Sequence, residues 1–181
     1  LVMEAIDSGK ISLDDQVTAS AHAASMGGSD IWLKEGETMS VNDLIKATVI
    51  MSANDAAVVL AEHVYGTEDE FVKQMNIRAK QLGMNDTTFK NCNGLDEDGH
   101  LTTAHDVALM SAELIKHEKI FDYTLTWMDY VRDGETQLVN TNKLIRSYKG
   151  ITGLKTGTTS QAGSCISATA KRDNLSLVAV V

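Results

Sequence analysis

The 181-residue chain contains no proline and only two cysteines, Cys92 and Cys165. Two thiols are too few for a disulfide framework, and they read as a pair of unpaired side chains. Proline averages about 5% of residues in ordinary proteins, and its absence here carries no functional reading. No apolar run approaches the roughly 18–20 residues that span a bilayer, so no membrane-crossing helix is expected within the chain. No signal peptide is visible at Leu1, which says nothing about location. Positive charge is scarce: 16 Lys and Arg against 25 Asp and Glu leave a net charge of −9 and a pI near 4.9. That balance argues against nucleic acid as a partner and against adsorption to anionic lipid through this part. No lysine has a serine three residues upstream, so the pattern S-x-x-K is missing.

With 43% hydrophobic residues the chain can bury the core of one domain, or of most of one. Leu1 lies inside an apolar helical pattern (Leu1, Val2, Ala5, Ile6), and Leu175–Val181 reads as a buried strand. The chain is therefore expected to be a piece of a longer protein, cut on both sides.

Three helix starts are marked by a hydroxyl with a carboxylate three residues on: Ser40 with Asp43, Thr67 with Glu70, and Thr103 with Asp106. Gly66 and Gly83 stand where helices stop. The segment 54–65 reads as a buried helix, which puts Ser52-Ala53-Asn54 in a short break between helices. Residues 85–101, rich in Asn, Asp, Gly and Thr, read as a long surface connection. A hairpin is expected at Arg132-Asp133-Gly134. Strands are expected over 151–158, 164–170 and 175–181, the last two joined by Lys171-Arg172-Asp173-Asn174. Helices in the middle and an antiparallel sheet at the end predict an α+β fold, with part of that sheet supplied by residues outside the chain.

Two triplets carry chemistry. Lys155-Thr156-Gly157 at a strand end places a cation and a hydroxyl beside a glycine that lets a substrate backbone approach, a set suited to a carboxylate. Alternation puts Lys155 and Gly157 on one face and Thr156 on the other, unless the edge twists toward a cleft. Ser52-Ala53-Asn54 in a helix break could equally be an ordinary N-cap. The pair, in this order, resembles two of the three signatures of serine enzymes that act on β-lactams or D-Ala-D-Ala peptides; the third is S-x-x-K.

Nearly the whole chain resembles the D-alanyl-D-alanine carboxypeptidases of the low-molecular-mass penicillin-binding protein group, serine peptidases of the S11 kind. The matching stretches are Ser20–Ser29, Ser52–Ala57, Leu82-Gly83-Met84, Asn93–Asp96, Gly99-His100, Asn140-Thr141-Asn142, and Gly153–Gly157 with Ala162-Gly163. The resemblance implies a β-lactamase/transpeptidase-like fold, a helical cluster packed on an antiparallel sheet, here missing its N-terminal strands. It implies that residues 1–181 are a partial catalytic domain. Ser52 would pass a proton to the leaving D-alanine amine, and Asn54 would hydrogen-bond the substrate amide. Lys155 would supply positive potential, the Thr156 hydroxyl would hold the terminal carboxylate beside Gly157, and the Thr158 N–H would be one of two oxyanion donors. The nucleophile and base belong to S-x-x-K, expected just before Leu1, so the chain alone should not acylate.

Implied partners are peptidoglycan stem peptides ending in D-Ala-D-Ala, with β-lactams as inhibitors. Implied location is the bacterial cell envelope, secreted or anchored by a membrane segment outside the chain. No cofactor is implied. Rival readings are a serine β-lactamase or another penicillin-binding protein, and a catalytically dead peptidoglycan-binding scaffold. Some relatives place an arginine in the Asn-x-Asn segment where this chain has Thr141; Arg146 is not assigned that role.

Other candidates read more plainly. His100 and His105 lack the i, i+4 spacing of a zinc helix, and His100 is expected to pin the long connection. Asp96–Gly99 fails as a calcium loop, because aligned positions 1 and 12 fall on Gly94 and His105.

Overall fold

A computed structural model describes residues 1–181. Its elements run in order α1 (Val2–Asp7), β1 (Gln16–Thr18), α2 (Ala21–Ala24), β2 (Thr38–Ser40), α3 (Val41–Lys46), a π-helical turn (Ala47–Met51), α4 (Asn54–Tyr65), α5 (Glu68–Gln81) and α6 (Ala104–Leu114). A 3₁₀ turn (Glu118–Ile120) then leads to α7 (Phe121–Thr124), β3 (Met128–Val131), β4 (Thr136–Val139), α8 (Leu144–Ser147), β5 (Ile151–Thr159), β6 (Gly163–Arg172) and β7 (Leu175–Val180). The expected α+β arrangement is what forms. No helix is long and apolar enough to cross a membrane.

The helices begin where the sequence puts them. Ser40, Thr67 and Thr103 each accept the backbone N–H three residues on, at 3.1, 3.2 and 3.1 Å. Only this half of each capping box forms. Asp43 turns to Lys46, Glu70 to Lys73 and Gln74, and Asp106 accepts from Asp86 N–H and the Thr87 hydroxyl. A carboxylate with a cation or a loop N–H in reach has no need to fold back on its own cap. Helix α4 is the hub of the core: Val58, Val59, Leu60, Ala61 and Val64 are buried among Leu44, Ile45 and Ile50.

Three antiparallel sheets form, ordered β1-β2, β3-β4 and β5-β6-β7. The β3–β4 hairpin turns at Asp133-Gly134 as expected, both with positive φ, closed by Glu135 N–H to the Arg132 carbonyl. The β1–β2 pair is not legible in the sequence, each strand being three residues long. The expectation of a buried final strand is corrected. Helix α6 packs against β7, but Leu175 and Leu177 on its other face are 60% and 58% exposed. Strand β7 lies at the sheet's margin, so a run apolar on both faces is covered on one.

Strand β5 is seated by a close approach. Thr124 is buried and its hydroxyl donates to the Thr152 carbonyl at 2.8 Å. At Gly153 φ is +127°, and a Cβ there would lie 2.7 Å from the Thr124 Cβ. Gly153→Ala is therefore expected to cost about 3 kcal/mol, from overpacking and a backbone angle hostile to side chains. Urea denaturation measures this; a variant as stable as the parent would show that Thr124 gives way freely.

Candidate active site

The π-helical turn is what brings Ser52 out of the core. Helix α3 widens at Ala47, whose carbonyl accepts from both Ser52 and Ala53 N–H groups. Ser52 then adopts a left-handed conformation (φ 66°, ψ 36°), rare for a residue with a side chain. Wide turns and left-handed residues of this kind cluster at functional positions. Ala53 is buried and anchors the break, and Asn54 opens α4.

Asn54 is built into the rim of a cleft. Its N–H donates to the Ser29 carbonyl at 2.7 Å, and its Nδ2 donates to the Gly27 carbonyl at 2.8 Å. Its Oδ1 is left as the acceptor for a ligand. Gly28, at φ +84°, passes so close that a Cβ would sit 2.9 Å from Asn54 Nδ2. The next residue of α4, Asp55, is buried and accepts from the N–H groups of Ile31 (3.2 Å to each oxygen), Leu33 (2.9 Å) and Ala56 (2.8 Å). The loop 27–33 thus takes its shape from the start of α4.

Strand β5 forms the opposite wall. The cleft, about 700 Å³, is lined by Ser52 and Asn54 on one side and by Lys155, Thr156, Gly157 and Thr158 on the other. All six expected site residues therefore meet in one place. The alternation that would send Thr156 away does not separate it, because β5 pairs with β6 alone and its free edge gives onto the cleft. Lys155 is the only charged side chain in the lining. Burial lowers its pKa from the usual lysine value to about 8. Its ammonium donates to the Thr156 carbonyl at 2.7 Å, so it lies back along its own strand.

Sequence reasoning missed several lining residues. Thr141 lines the cleft and accepts the Thr156 hydroxyl proton at 2.6 Å. The signal was its position inside Asn140-Thr141-Asn142, whose flanking asparagines hold the turn: Asn140 Oδ1 accepts from Asn142 N–H at 2.9 Å, and Asn142 Oδ1 from Leu144 N–H at 3.1 Å. Arg146 instead stacks over the Trp127 ring. Asn93, Gly94 and Leu95 of the long connection also line the cleft. That connection is closely tied: His100 Nδ1 accepts from Lys90 N–H, and Asp96 accepts from the Ser160 hydroxyl (2.8 Å) and Gln161 N–H (3.2 Å) across the cleft mouth. Cys165 sits in the wall opposite Gly157, exposed, whereas Cys92 is half-buried and its thiol pKa is driven up by burial and by Glu68.

Behind Ser52 and Lys155 lies a second cavity of about 260 Å³, bounded by Ala57, Leu114, Ile120 and Leu154. Ser52, Asn54 and Lys155 line both spaces.

This combination of a helical cluster, a terminal antiparallel sheet and a hydroxyl-rich cleft between them is the penicillin-binding protein fold. The chain superposes on the D-alanyl-D-alanine carboxypeptidase DacD of Francisella tularensis with a TM-score of 0.92 at 28% identity, covering 99% of this chain and 56% of that one. It superposes on ampicillin-bound penicillin-binding protein D2 of Listeria monocytogenes with a TM-score of 0.87 at 36% identity, covering 99% and 73%. In sequence it is 50% identical to D-alanyl-D-alanine carboxypeptidase DacF of Bacillus subtilis over 184 residues, all of this chain and 47% of that protein. It is 37% identical to DacC of Escherichia coli, again over its whole length and 47% of the relative. The peptidase S11 family, D-alanyl-D-alanine carboxypeptidase, matches residues 1–181, and the chain belongs to that family. It spans about half the length of the curated relatives it matches.

Proposed function

We propose that the full-length protein is a serine D-Ala-D-Ala carboxypeptidase that removes the terminal D-alanine from peptidoglycan stem peptides in the cell envelope. The observation that carries this is the cleft's charge: one half-buried lysine among hydroxyls, in a chain of net charge −9. Such a site selects a small ligand ending in a carboxylate.

The nucleophile and base come from an S-x-x-K segment outside these residues, brought to the space behind Ser52 and Lys155, and residues 1–181 are the substrate-holding part of the catalytic domain. The serine Oγ attacks the penultimate D-Ala carbonyl, its proton passing to the base. The C–N bond then breaks, and Ser52 delivers a proton to the departing amine. Water hydrolyses the resulting ester and frees the serine. Asn54 Oδ1 accepts from a substrate amide, the Thr156 hydroxyl turns from Thr141 to donate its one proton to the carboxylate, and the Thr158 N–H faces the developing oxyanion, an interaction worth about 3–4 kcal/mol.

β-Lactams would acylate the same serine, in keeping with the ampicillin-bound relative. Full-length protein should release D-alanine from a diacylated peptide ending in D-Ala-D-Ala and take a covalent label from fluorescent penicillin, while the 181-residue chain stays unlabelled. Full-length protein that does neither is not this enzyme.

Lys155 also sets a pH dependence. Below about pH 8 it is protonated and attracts the carboxylate; above that it is neutral. The KM for a peptide with a free C-terminal carboxylate is expected to rise as pH passes through 8. The acylation rate by a neutral ester analogue should not follow the same curve. Identical profiles for the two substrates would mean that Lys155 charge does not hold the carboxylate.

A further inference from the structure

We propose that Trp32 is a stacking platform for the sugar rings of a glycan strand, set on the outer side of the loop that forms the cleft rim. This rests on the reading of the cleft as a stem-peptide site, since a stem peptide branches from such a strand.

Exposure alone, 73% for Trp32, would be unremarkable for a single apolar side chain. Its backbone is what sets it apart. Trp32 has φ +55°, a genuine outlier for so bulky a residue. The conformation is imposed from both sides. The N–H groups of Ile31 and Leu33 are both held by the buried Asp55 carboxylate, and the Ile31 carbonyl accepts from Arg132 Nη1 at 2.8 Å. Ile31 and Leu33 are buried, so the residue between them must swing outward. Glycine would take this backbone without strain. A tryptophan standing here, with a buried carboxylate and an arginine fixing the backbone on either side so that the ring lies in water, points to a use for the ring.

The surroundings fit a sugar. An open depression of about 640 Å³ beside the indole is flanked by Lys34 and Glu35, both exposed, and by the Glu37–Arg132 pair. An aromatic face takes the C–H face of a pyranose, while flanking donors and acceptors take its hydroxyls. The location fits as well: Gly28 and Ser29 of the same loop line the cleft, and Trp32 follows Ser29 by three residues, so the indole stands within about 11 Å of chain from the cleft rim. Lys34 and Arg132 are balanced by Glu35 and Glu37, so the depression offers no net positive patch to an anionic membrane surface.

The test uses full-length protein and two substrates bearing the same stem peptide, one free and one on a glycan chain. Trp32→Ala should lower kcat/KM about tenfold on the glycan-linked substrate and less than twofold on the free peptide. Trp32→Tyr should retain most activity on both. Trp32→Gly should show the Trp32→Ala loss without a fall in Tm, which separates it from unfolding. Equal losses on both substrates, or none on either, overturn the proposal. Binding to peptide-free glycan strands tests Trp32 independently of catalysis. Wild-type binding that Trp32→Ala abolishes supports the platform even if no D-alanine is ever released, in which case only the carboxypeptidase reading fails. Binding that is unchanged in Trp32→Ala, or seen only with anionic vesicles, overturns the platform.

Discussion

Replacing Lys155 by methionine in the full-length protein is expected to lower kcat/KM on a D-Ala-D-Ala peptide by about 10²–10³, the usual cost of removing one preorganised electrostatic group from a site. Penicillin acylation should fall in parallel. Methionine keeps the volume and the buried alkyl stem, so the loss reports charge and not packing. Stability is expected to move the other way. The Lys155 pKa drops from an unperturbed value of 10.5 to about 8 on folding, through burial. Between those values the unfolded chain binds more protons than the folded one, so parental stability rises as pH increases from 8 toward 10.5. Below pH 8 the full cost of burying the ammonium is present. Lys155→Met removes that cost, and should be at least as stable as the parent at pH 7 and lack that residue's share of the rise. Urea denaturation at pH 7 and pH 10 reads both quantities. A variant with parental kcat/KM would remove Lys155 from the machinery.

Asp55→Ala is expected to cost about 4 kcal/mol, because three buried backbone N–H groups lose a charged acceptor at once. Asp55→Asn keeps one acceptor oxygen but points an NH₂ toward the same donors, and should lie between parent and alanine. The effect should be local before it is global. Hydrogen exchange of Ile31 and Leu33 amides should accelerate far more than that of the α4 interior. Because Ser29 and Gly27 are held by Asn54 next door, penicillin labelling should slow as well. Parental stability and exchange in Asp55→Ala would mean that the loop is held by its apolar residues alone.

What was legible in the sequence follows from how local each cause is. Helix starts were readable because Ser40, Thr67 and Thr103 act on an N–H three residues away. The hairpin at Asp133-Gly134 and the β5–β7 strands were readable for the same reason. The engagement of one cap carboxylate was not: Asp106 is held by residues 86 and 87, which no local pattern announces. The two triplets and the resemblance located Ser52, Asn54 and Lys155–Thr158. They did not reveal that Thr141 would accept from Thr156, or that Asn93–Leu95 would reach the same cleft, since both depend on how distant segments close on one another. The apolar run Leu175–Val181 misled because composition reports what a strand can bury, not how many neighbours cover it.

The turn at Ala47–Met51 has a further meaning. Successive residues of an α-helix point about 100° apart around the axis, and the π-helical turn holds one residue more than a regular turn would. Read as an insertion, that extra residue is a local phase shift: it turns Ser52 relative to the faces of α3. Ser52 faces the cleft, and α4 still packs on the core, because the shift is absorbed within these few residues. The serine's direction is therefore encoded in residue number as much as in residue type. A shortened loop of identical composition would keep the hydroxyl and lose its aim.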